Sequence, residues 1–130
     1  MENKGVKVVA QQSLEDYLET ILIVSQKKEF VRPIDLANEL NYSRPSVTIA
    51  LQKLKREDFI LIDEKNHITL TEKGLQCAKR VFFRHEILTK YLMKIGVPFN
   101  IAEQDACTIE HVISEETFEA IKRTVNNEEN

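Results

Sequence analysis

Apolar residues recur at helical spacing along most of the chain and switch to strand-like spacing in one short stretch. The helical stretches begin at residues that favour helix starts, such as Ser13, which has Asp16 three positions later, and Ser43. The predicted helices cover residues 13–27, 32–40, 43–58, 72–95, 101–113 and 114–125. Residues before Ser13 are expected to be frayed, and residues 126–130 are expected to form a disordered tail.

The change of spacing predicts a β-hairpin between the third and the fourth helix. Residues 59–62 form an apolar run, residues 63–66 are polar turn residues, and residues 67–71 alternate with a period of two. Two helices, a turn, a third helix and a hairpin are the order of elements in a winged helix-turn-helix. The sequence therefore predicts a mainly α protein, with a winged helix-turn-helix in residues 1–72 and a helical domain in residues 73–130.

Charge is distributed unevenly along the chain, although the net charge is only −3. Residues 1–99 carry a balance of +3, with 16 of the 18 basic residues, whereas residues 100–130 carry a balance of −6. The basic N-terminal part of the chain is suited to binding DNA, and the acidic C-terminal part is suited to binding a cation. The alternative is that both are ordinary solvated helix faces.

Other features of the sequence concern the compartment. The N-terminus lacks a signal-peptide pattern, and no apolar run approaches the roughly 20 residues that a membrane-spanning helix needs. Cys77 and Cys107 are too few for a disulfide framework and are expected to be reduced. We therefore expect a cytoplasmic protein without a membrane partner.

The third predicted helix begins with the polar and basic residues that a recognition helix presents to the major groove. Arg44 is suited to a guanine edge or a phosphate, and Lys65 and His67 of the hairpin turn are placed for the adjacent DNA backbone. The predicted contacts with double-stranded DNA are Ser43, Arg44, Pro45, Ser46, Thr48, Gln52, Lys53 and Lys65. The alternatives are an ordinary capped surface helix and a winged helix that binds protein.

Side chains that bind metals occur on three otherwise apolar helices. Asp16 and Glu19 share one face of the first helix, and His85 projects from the fourth. Three further candidates follow the spacing i, i+3, i+4 on the fifth helix: Cys107, Glu110 and His111. Mixed thiol, imidazole and carboxylate ligands favour a divalent first-row transition metal over calcium or magnesium. Each residue also has an ordinary alternative, as a helix-end charge, a paired histidine or a buried cysteine.

Five short stretches within residues 13–125 match the motifs of one family of regulators. They are Leu14–Glu19, Ser46–Thr48, Leu70–Gly74, Arg84–Glu86 and Ile109–His111. In these stretches the chain resembles the diphtheria toxin repressor family of metal-dependent regulators, and most of all its short branch, the manganese transport regulators. The resemblance implies a homodimer with a helical metal-binding and dimerisation domain, which binds operator DNA when Mn(II) or Fe(II) is bound and represses metal-uptake genes.

The resemblance also implies a ligand set, from which this chain departs at one position. The residues that correspond to family ligands are Asp16, Glu19, His85, Glu110 and His111. At Cys107 the manganese-sensing branch usually has Glu. The iron-sensing branch has Cys there, but usually has Met in place of Asp16. The chain therefore combines features of the two branches.

We interpret the sequence as that of a metal-dependent, DNA-binding transcriptional regulator. The resemblance implies a metal clamp between the first helix and the helices of the second domain. One alternative is a winged-helix regulator that responds to an organic effector without metal. The other alternative is a metal-dependent hydrolase, which would need an open coordination position, a catalytic base and a substrate pocket. The sequence shows neither a candidate base beside the ligands nor a phosphate-binding loop. We therefore expect neither enzymatic activity nor an organic substrate.

Overall fold

The structure of the chain is a computed structural model that describes the backbone of residues 2–129 and the side chains of residues 14–127. Its elements are α1 (Glu2–Lys27), α2 (Pro33–Leu40), α3 (Arg44–Arg56), β1 (Ile60–Ile62), β2 (Ile68–Leu70), α4 (Glu72–Lys94), α5 (Phe99–Ile109) and α6 (Glu115–Glu129). The chain divides into two compact units, of which the first is Ser13–Lys79 and the second contains the rest of the described chain. Within the described residues, no helix combines the length and the apolar character that a membrane crossing requires.

The first unit is a winged helix-turn-helix built on one apolar core. Its buried side chains come from α1, α2, α3, the hairpin and the start of α4, at the helical and alternating positions that the sequence pattern marks. The largest of its fully buried side chains are Tyr17, Leu18, Ile21, Leu36, Val47, Leu54 and Ile60. Burying side chains of this size removes most of their apolar surface from water, which is the main stabilising contribution to such a core.

The hairpin is antiparallel and shorter than predicted. Ile60 pairs with Leu70 and Ile62 with Ile68, while an additional bridge joins Ile68 to Val31. Phe59 lies outside the paired strands: its N–H donates to the carbonyl of Leu54 at the end of α3, and its carbonyl accepts from the Thr71 N–H. The predicted strands 59–62 and 67–71 are therefore each reduced to three residues.

One glycine permits a close approach between the hairpin and α4. A Cβ atom at Gly74 would lie 2.0 Å from the carbonyl oxygen of Phe59, which is a backbone atom and has little freedom to move. Thr71, at the start of α4, accepts a hydrogen bond from the Gly74 N–H and donates one to the Asp58 carbonyl. The segment before β1 is thus attached to the beginning of α4 through the close approach at Gly74 and through the Thr71 hydroxyl.

The second unit packs part of α4 against α5 and α6. Its buried core contains Ile87, Leu88, Ala106, Phe118 and Val125. The break between α4 and α5 occurs where predicted, at a glycine with a φ of +106°, a conformation that L side chains rarely adopt.

Three predicted boundaries are wrong. α1 begins at Glu2, so Ser13 lies inside the helix and does not cap it. The valines and alanine of residues 6–10 are compatible with a helix that continues upstream. α6 extends to Glu129, so the predicted tail is helical through its first four residues, beyond the buried Val125. α5 covers Phe99–Ile109 and not 101–113, because proline and the following residues start it earlier and a turn ends it.

Candidate metal centre and nucleic-acid interface

In the second unit, α4 and the end of α5 bring three of the predicted ligands together. His85 Nδ1 lies 3.1 Å from Glu110 Oε2, and His111 Nε2 lies 3.2 Å from Glu110 Oε1. The side chain of Glu110 is fully buried, and that of His111 is 1% exposed. The result is a buried carboxylate with an imidazole on each of its two oxygens.

One oxygen of this buried carboxylate lacks a hydrogen bond, while the other is bonded to His85. Glu110 Oε1 makes no hydrogen bond with any described residue, although His111 Nε2 lies 3.2 Å away. Leaving a buried polar atom unsatisfied costs about 1–3 kcal/mol, and more when the group is charged. A cation bound by the oxygen and the nitrogen would remove this cost. The residues present therefore fit a first-row divalent metal, which accepts imidazole and carboxylate together.

The backbone of this centre is fixed by Arg84, one residue before His85 on α4. Its Nη1 donates to the carbonyl of Glu110 at 3.0 Å, and its Nη2 forms an ion pair with Glu115 at the start of α6. The guanidinium also lies over the ring of Phe118, 4.8 Å from its centroid. Because the guanidinium has five donors in a planar fork, one side chain can hold both ends of the turn between α5 and α6.

Glu110 and His111 lie at the end of α5 and not within it. Glu110 is the C-cap, in right-handed helical conformation, and its N–H donates to Ala106. The His111 N–H donates to Thr108 at 3.4 Å, as in a tighter turn. The predicted helix over 101–113 therefore extends too far, because the helix ends at Ile109, and the joint ligand role of these two residues with Cys107 stays a prediction.

The three remaining predicted ligands are placed as follows. Cys107 is on α5, half-buried and reduced. Asp16 and Glu19 are on α1 in the first unit, where Asp16 is half-buried and Glu19 is 8% exposed. Their role as ligands stays a prediction.

The candidate DNA surface lies in the first unit, on α3 and the hairpin. Ser43 caps α3, accepting from the Ser46 N–H at 3.3 Å and donating to the Ser46 hydroxyl at 2.9 Å. Val47 and Leu51 fix the helix to the core, which leaves the predicted DNA contacts outside. All of them are exposed: Ser43, Arg44, Pro45, Ser46, Thr48, Gln52, Lys53 and Lys65.

The wing turn has its own internal hydrogen bonds. Asp63 Oδ1 accepts from the backbone N–H groups of His67 and Lys65, which hold the pKa of the Asp63 carboxyl below its usual range. The His67 ring stacks on Phe30, with centroids 4.1 Å apart. Lys65 is therefore presented from an ordered turn, while His67 is largely engaged within the unit.

The structure adds residues to this surface that sequence reasoning did not single out. A cleft of about 420 Å³ is lined by residues of α2, α3 and the wing. Beside the predicted contacts Arg44 and Gln52, its lining includes Arg32 and Asn66. Arg32 precedes α2 in sequence, and the one signal that could have marked it is a basic residue placed directly before the helix-starting Pro33.

Family models match both units of the chain. Residues 10–68 match the iron-dependent repressor N-terminal DNA-binding domain, and residues 71–130 match the iron-dependent repressor metal-binding and dimerisation domain. The chain belongs to the iron-dependent repressor family. It is a metal-dependent, DNA-binding transcriptional regulator, and both the predicted family and the predicted fold class are confirmed.

Individual members of the family are similar in sequence and in structure. The HTH-type transcriptional regulator MntR of Shouchella clausii is 36% identical over 109 residues, covering 84% of this chain and 76% of the relative. An HTH-type transcriptional regulator of Methanocaldococcus jannaschii is 34% identical over 113 residues, covering 85% of this chain and 90% of the relative. The structure of the manganese regulator SloR superposes with a TM-score of 0.78 at 27% identity, and T. acidophilum IdeR with 0.74 at 26%. The two superpositions include 87% and 86% of this chain, respectively. They include 53% of each solved chain, so this chain spans about half the length of either one.

Proposed function

We propose that this iron-dependent repressor family protein represses metal-uptake genes in response to Mn(II) or Fe(II), binding operator DNA as a homodimer in the cytoplasm. The observation that carries the proposal is the buried Glu110 carboxylate, with one oxygen lacking a hydrogen bond and an imidazole beside each oxygen. The manganese and iron dependence named for similar proteins agrees with this mixed nitrogen and oxygen ligand set.

The proposed ligands are the three residues of this cluster and three more. Their complete set is Asp16, Glu19, His85, Cys107, Glu110 and His111. For Asp16 and Glu19 the support is the family resemblance and the burial of Glu19, which is unusual for a carboxylate on a helix. For Cys107 it is the position one helical turn before Glu110. A bound metal would supply positive charge to the carboxylates of this set and a partner to Glu110 Oε1.

The proposed DNA contacts are the exposed residues at the start of α3 together with Lys65 of the wing. Arg44, at the first turn of α3, is placed to approach a base edge or a phosphate, while the hydroxyl-bearing residues around it suit phosphate oxygens. We propose that residues 1–72 contain the DNA-binding function and residues 73–130 the metal-binding and dimerisation function. A regulator of this kind acts by differential metal affinity for its DNA-competent state and needs no catalytic step.

The test is metal-dependent selection of DNA. Purified protein is stripped of metal and incubated anaerobically with a random double-stranded library, with and without Mn(II) or Fe(II). We expect a shared two-fold symmetric sequence to be recovered only when the metal is present. Equal recovery with and without metal would contradict the proposal and would favour a regulator controlled by a different effector.

Paired glutamate variants identify the centre. Glu110→Gln removes the charge of the buried carboxylate, whereas Glu103→Gln makes the same change at an exposed position on α5. We expect Glu110→Gln to lose metal binding, measured by elemental analysis after dialysis, and Glu103→Gln to retain it. Equal metal content in the two variants would rule out Glu110 as a ligand.

A further inference from the structure

The recognition helix exposes an isoleucine that the fold does not use. Ile49 on α3 is 71% exposed, the highest value among the large hydrophobic residues whose side chains the structure describes. Val47 and Leu51, two residues to either side, are 1% and 3% exposed and belong to the core. Ile49 is therefore an apolar residue on the solvent side of an otherwise well-formed amphipathic helix.

The helical period places Ile49 at the middle of the exposed face. With about 100° per residue, it lies nearly opposite the buried stripe formed by Val47, Leu51 and Leu54. Three of its four neighbours at three and four positions along the helix are polar or basic, namely Ser46, Gln52 and Lys53, and the fourth is Pro45; all four are exposed. An apolar side chain is thus surrounded by groups that suit a polyanion.

Neither helix formation nor packing accounts for isoleucine at this position. A β-branched residue is a poorer helix former than Ala, Gln or Lys, and an exposed side chain gains little from burial. Isoleucine here is favourable when another molecule covers it. The charge around it identifies DNA as that molecule, since the surrounding face already carries Lys53 and Gln52 and no acidic residue occurs within α3.

The major groove offers one apolar group, the 5-methyl group of thymine. We propose that Ile49 contacts a thymine methyl group and thereby makes operator recognition specific for thymine at one position in each half-site. This inference rests on the proposed DNA-binding function and adds to it a residue that selects sequence by an apolar contact. Arg44 and Lys53 supply charge, whereas Ile49 distinguishes thymine from cytosine and from uracil.

The experiment removes the methyl group without changing hydrogen bonding. A duplex recovered by the metal-dependent selection is resynthesised with each thymine replaced in turn by deoxyuridine. Binding is measured with Mn(II) present for the wild-type protein, for Ile49→Ala and for Leu61→Ala. Leu61 is 62% exposed on β1 and serves as a matched control for the loss of an exposed aliphatic side chain.

The wild-type protein should show one thymine per half-site at which deoxyuridine weakens binding about fourfold, the effect of one buried methyl group. Ile49→Ala should lose this sensitivity and bind the two duplexes equally, while Leu61→Ala should keep it. Because Ile49 is exposed, Ile49→Ala should fold normally, with thermal unfolding followed by circular dichroism as the check.

Two results would overturn the inference in distinguishable ways. If the wild-type protein binds the selected duplex but Ile49→Ala retains the same deoxyuridine sensitivity at every position, Ile49 does not contact a thymine methyl group, although DNA binding stands. If metal-loaded protein recovers no duplex from the library, the proposed function fails and the inference fails with it.

Discussion

The two units use polar side chains in opposite ways. In the second unit, Glu110 and His111 are almost completely buried, and a carboxylate oxygen lacks a hydrogen bond. In the first unit, the candidate DNA contacts are exposed, and the hydrogen bonds that shape the surface, such as Ser43 with Ser46, are satisfied within it. A buried carboxylate oxygen without a hydrogen bond is typical of a site for a small ion, whereas exposed charge on an ordered scaffold is typical of a surface for a large polyanion.

The difference implies that the units should fail in different ways when changed. Metal binding depends on every ligand, because each buried ligand contributes a bond to the ion, and we expect the loss of one ligand to lower metal affinity strongly. A DNA surface distributes its contacts, so that one substitution weakens binding without abolishing it.

The largest expected effect is on the folding of the first unit. Gly74→Ala places a Cβ atom 2.0 Å from the Phe59 carbonyl oxygen, which is a severe clash, and should destabilise the protein by about 3 kcal/mol or more. Urea denaturation monitored by circular dichroism measures it. Gly96→Ala is the matched control, because a Cβ there meets no atom within 4 Å and only its φ of +106° is unfavourable. Its cost should be about 1 kcal/mol, and equal losses in the two variants would contradict the steric account.

The next effect separates metal binding from DNA binding. His111→Ala should lower Mn(II) affinity by about 100-fold, since it removes a buried ligand, and should lose DNA binding through the metal. Arg44→Ala should lower DNA affinity about tenfold at constant metal affinity. Calorimetry with Mn(II) and anisotropy with the selected duplex measure both quantities. If His111→Ala binds Mn(II) at saturating concentration but its DNA binding does not improve, the variant does not lose DNA binding through the loss of metal, and this account is wrong.

A smaller change concerns the selectivity of the centre. Replacing Cys107 with Glu exchanges a soft thiolate for an oxygen donor, which should raise Mn(II) affinity about tenfold relative to Co(II). It should also remove the near-ultraviolet band that a thiolate gives with Co(II). Cys77→Ser, at a half-buried cysteine of the first unit, is the control. An identical Co(II) spectrum before and after Cys107→Glu would show that the thiol is not a ligand.

The smallest expected effect is at the start of α2. Asp35 accepts from Lys28 Nζ at 2.7 Å and from the Arg32 N–H at 2.9 Å, and these bonds hold the pKa of its carboxyl below the usual range. A lowered folded-state pKa gives stability that is present above the unfolded value of about 3.9 and is lost as the pH falls through the folded value. Asp35→Asn should therefore cost about 1 kcal/mol at pH 7. The difference from wild type should vanish well below pH 4, and a difference that is constant from pH 7 to pH 3 would argue against an ionic cap.

The sequence was informative wherever side-chain chemistry and local spacing were sufficient. The helix starts at Pro33 and Ser43, the hairpin and the break near Gly96 follow from turn and cap chemistry, and the structure has them. The upstream start of α1 could not be predicted, because Ser13 is an equally good cap and an acceptable interior residue. At the end of α5 the Glu110 carbonyl accepts a hydrogen bond from Arg84, 26 residues away, and local spacing cannot indicate a bond of this kind.

Residue types also predicted the site better than its geometry. Histidine and carboxylate at 85, 110 and 111 suggested a metal, but the pairing of both imidazoles with one carboxylate arises from the turn after Ile109. Arg32 and Ile49 were missed because exposure, which is what marks them, is a property of the folded unit.

The bonding of His85 to Glu110 joins positions 25 residues apart in the chain. An ion held by both would act as a crosslink that closes this loop, and closing a loop removes conformational freedom from the unfolded chain. Each tenfold rise in free metal above the dissociation constant then adds about 1.4 kcal/mol to folding stability. The melting temperature of the second unit would thus report metal concentration directly, and a cell depleted of metal would contain a regulator that is more easily unfolded and degraded as well as one that leaves its operator.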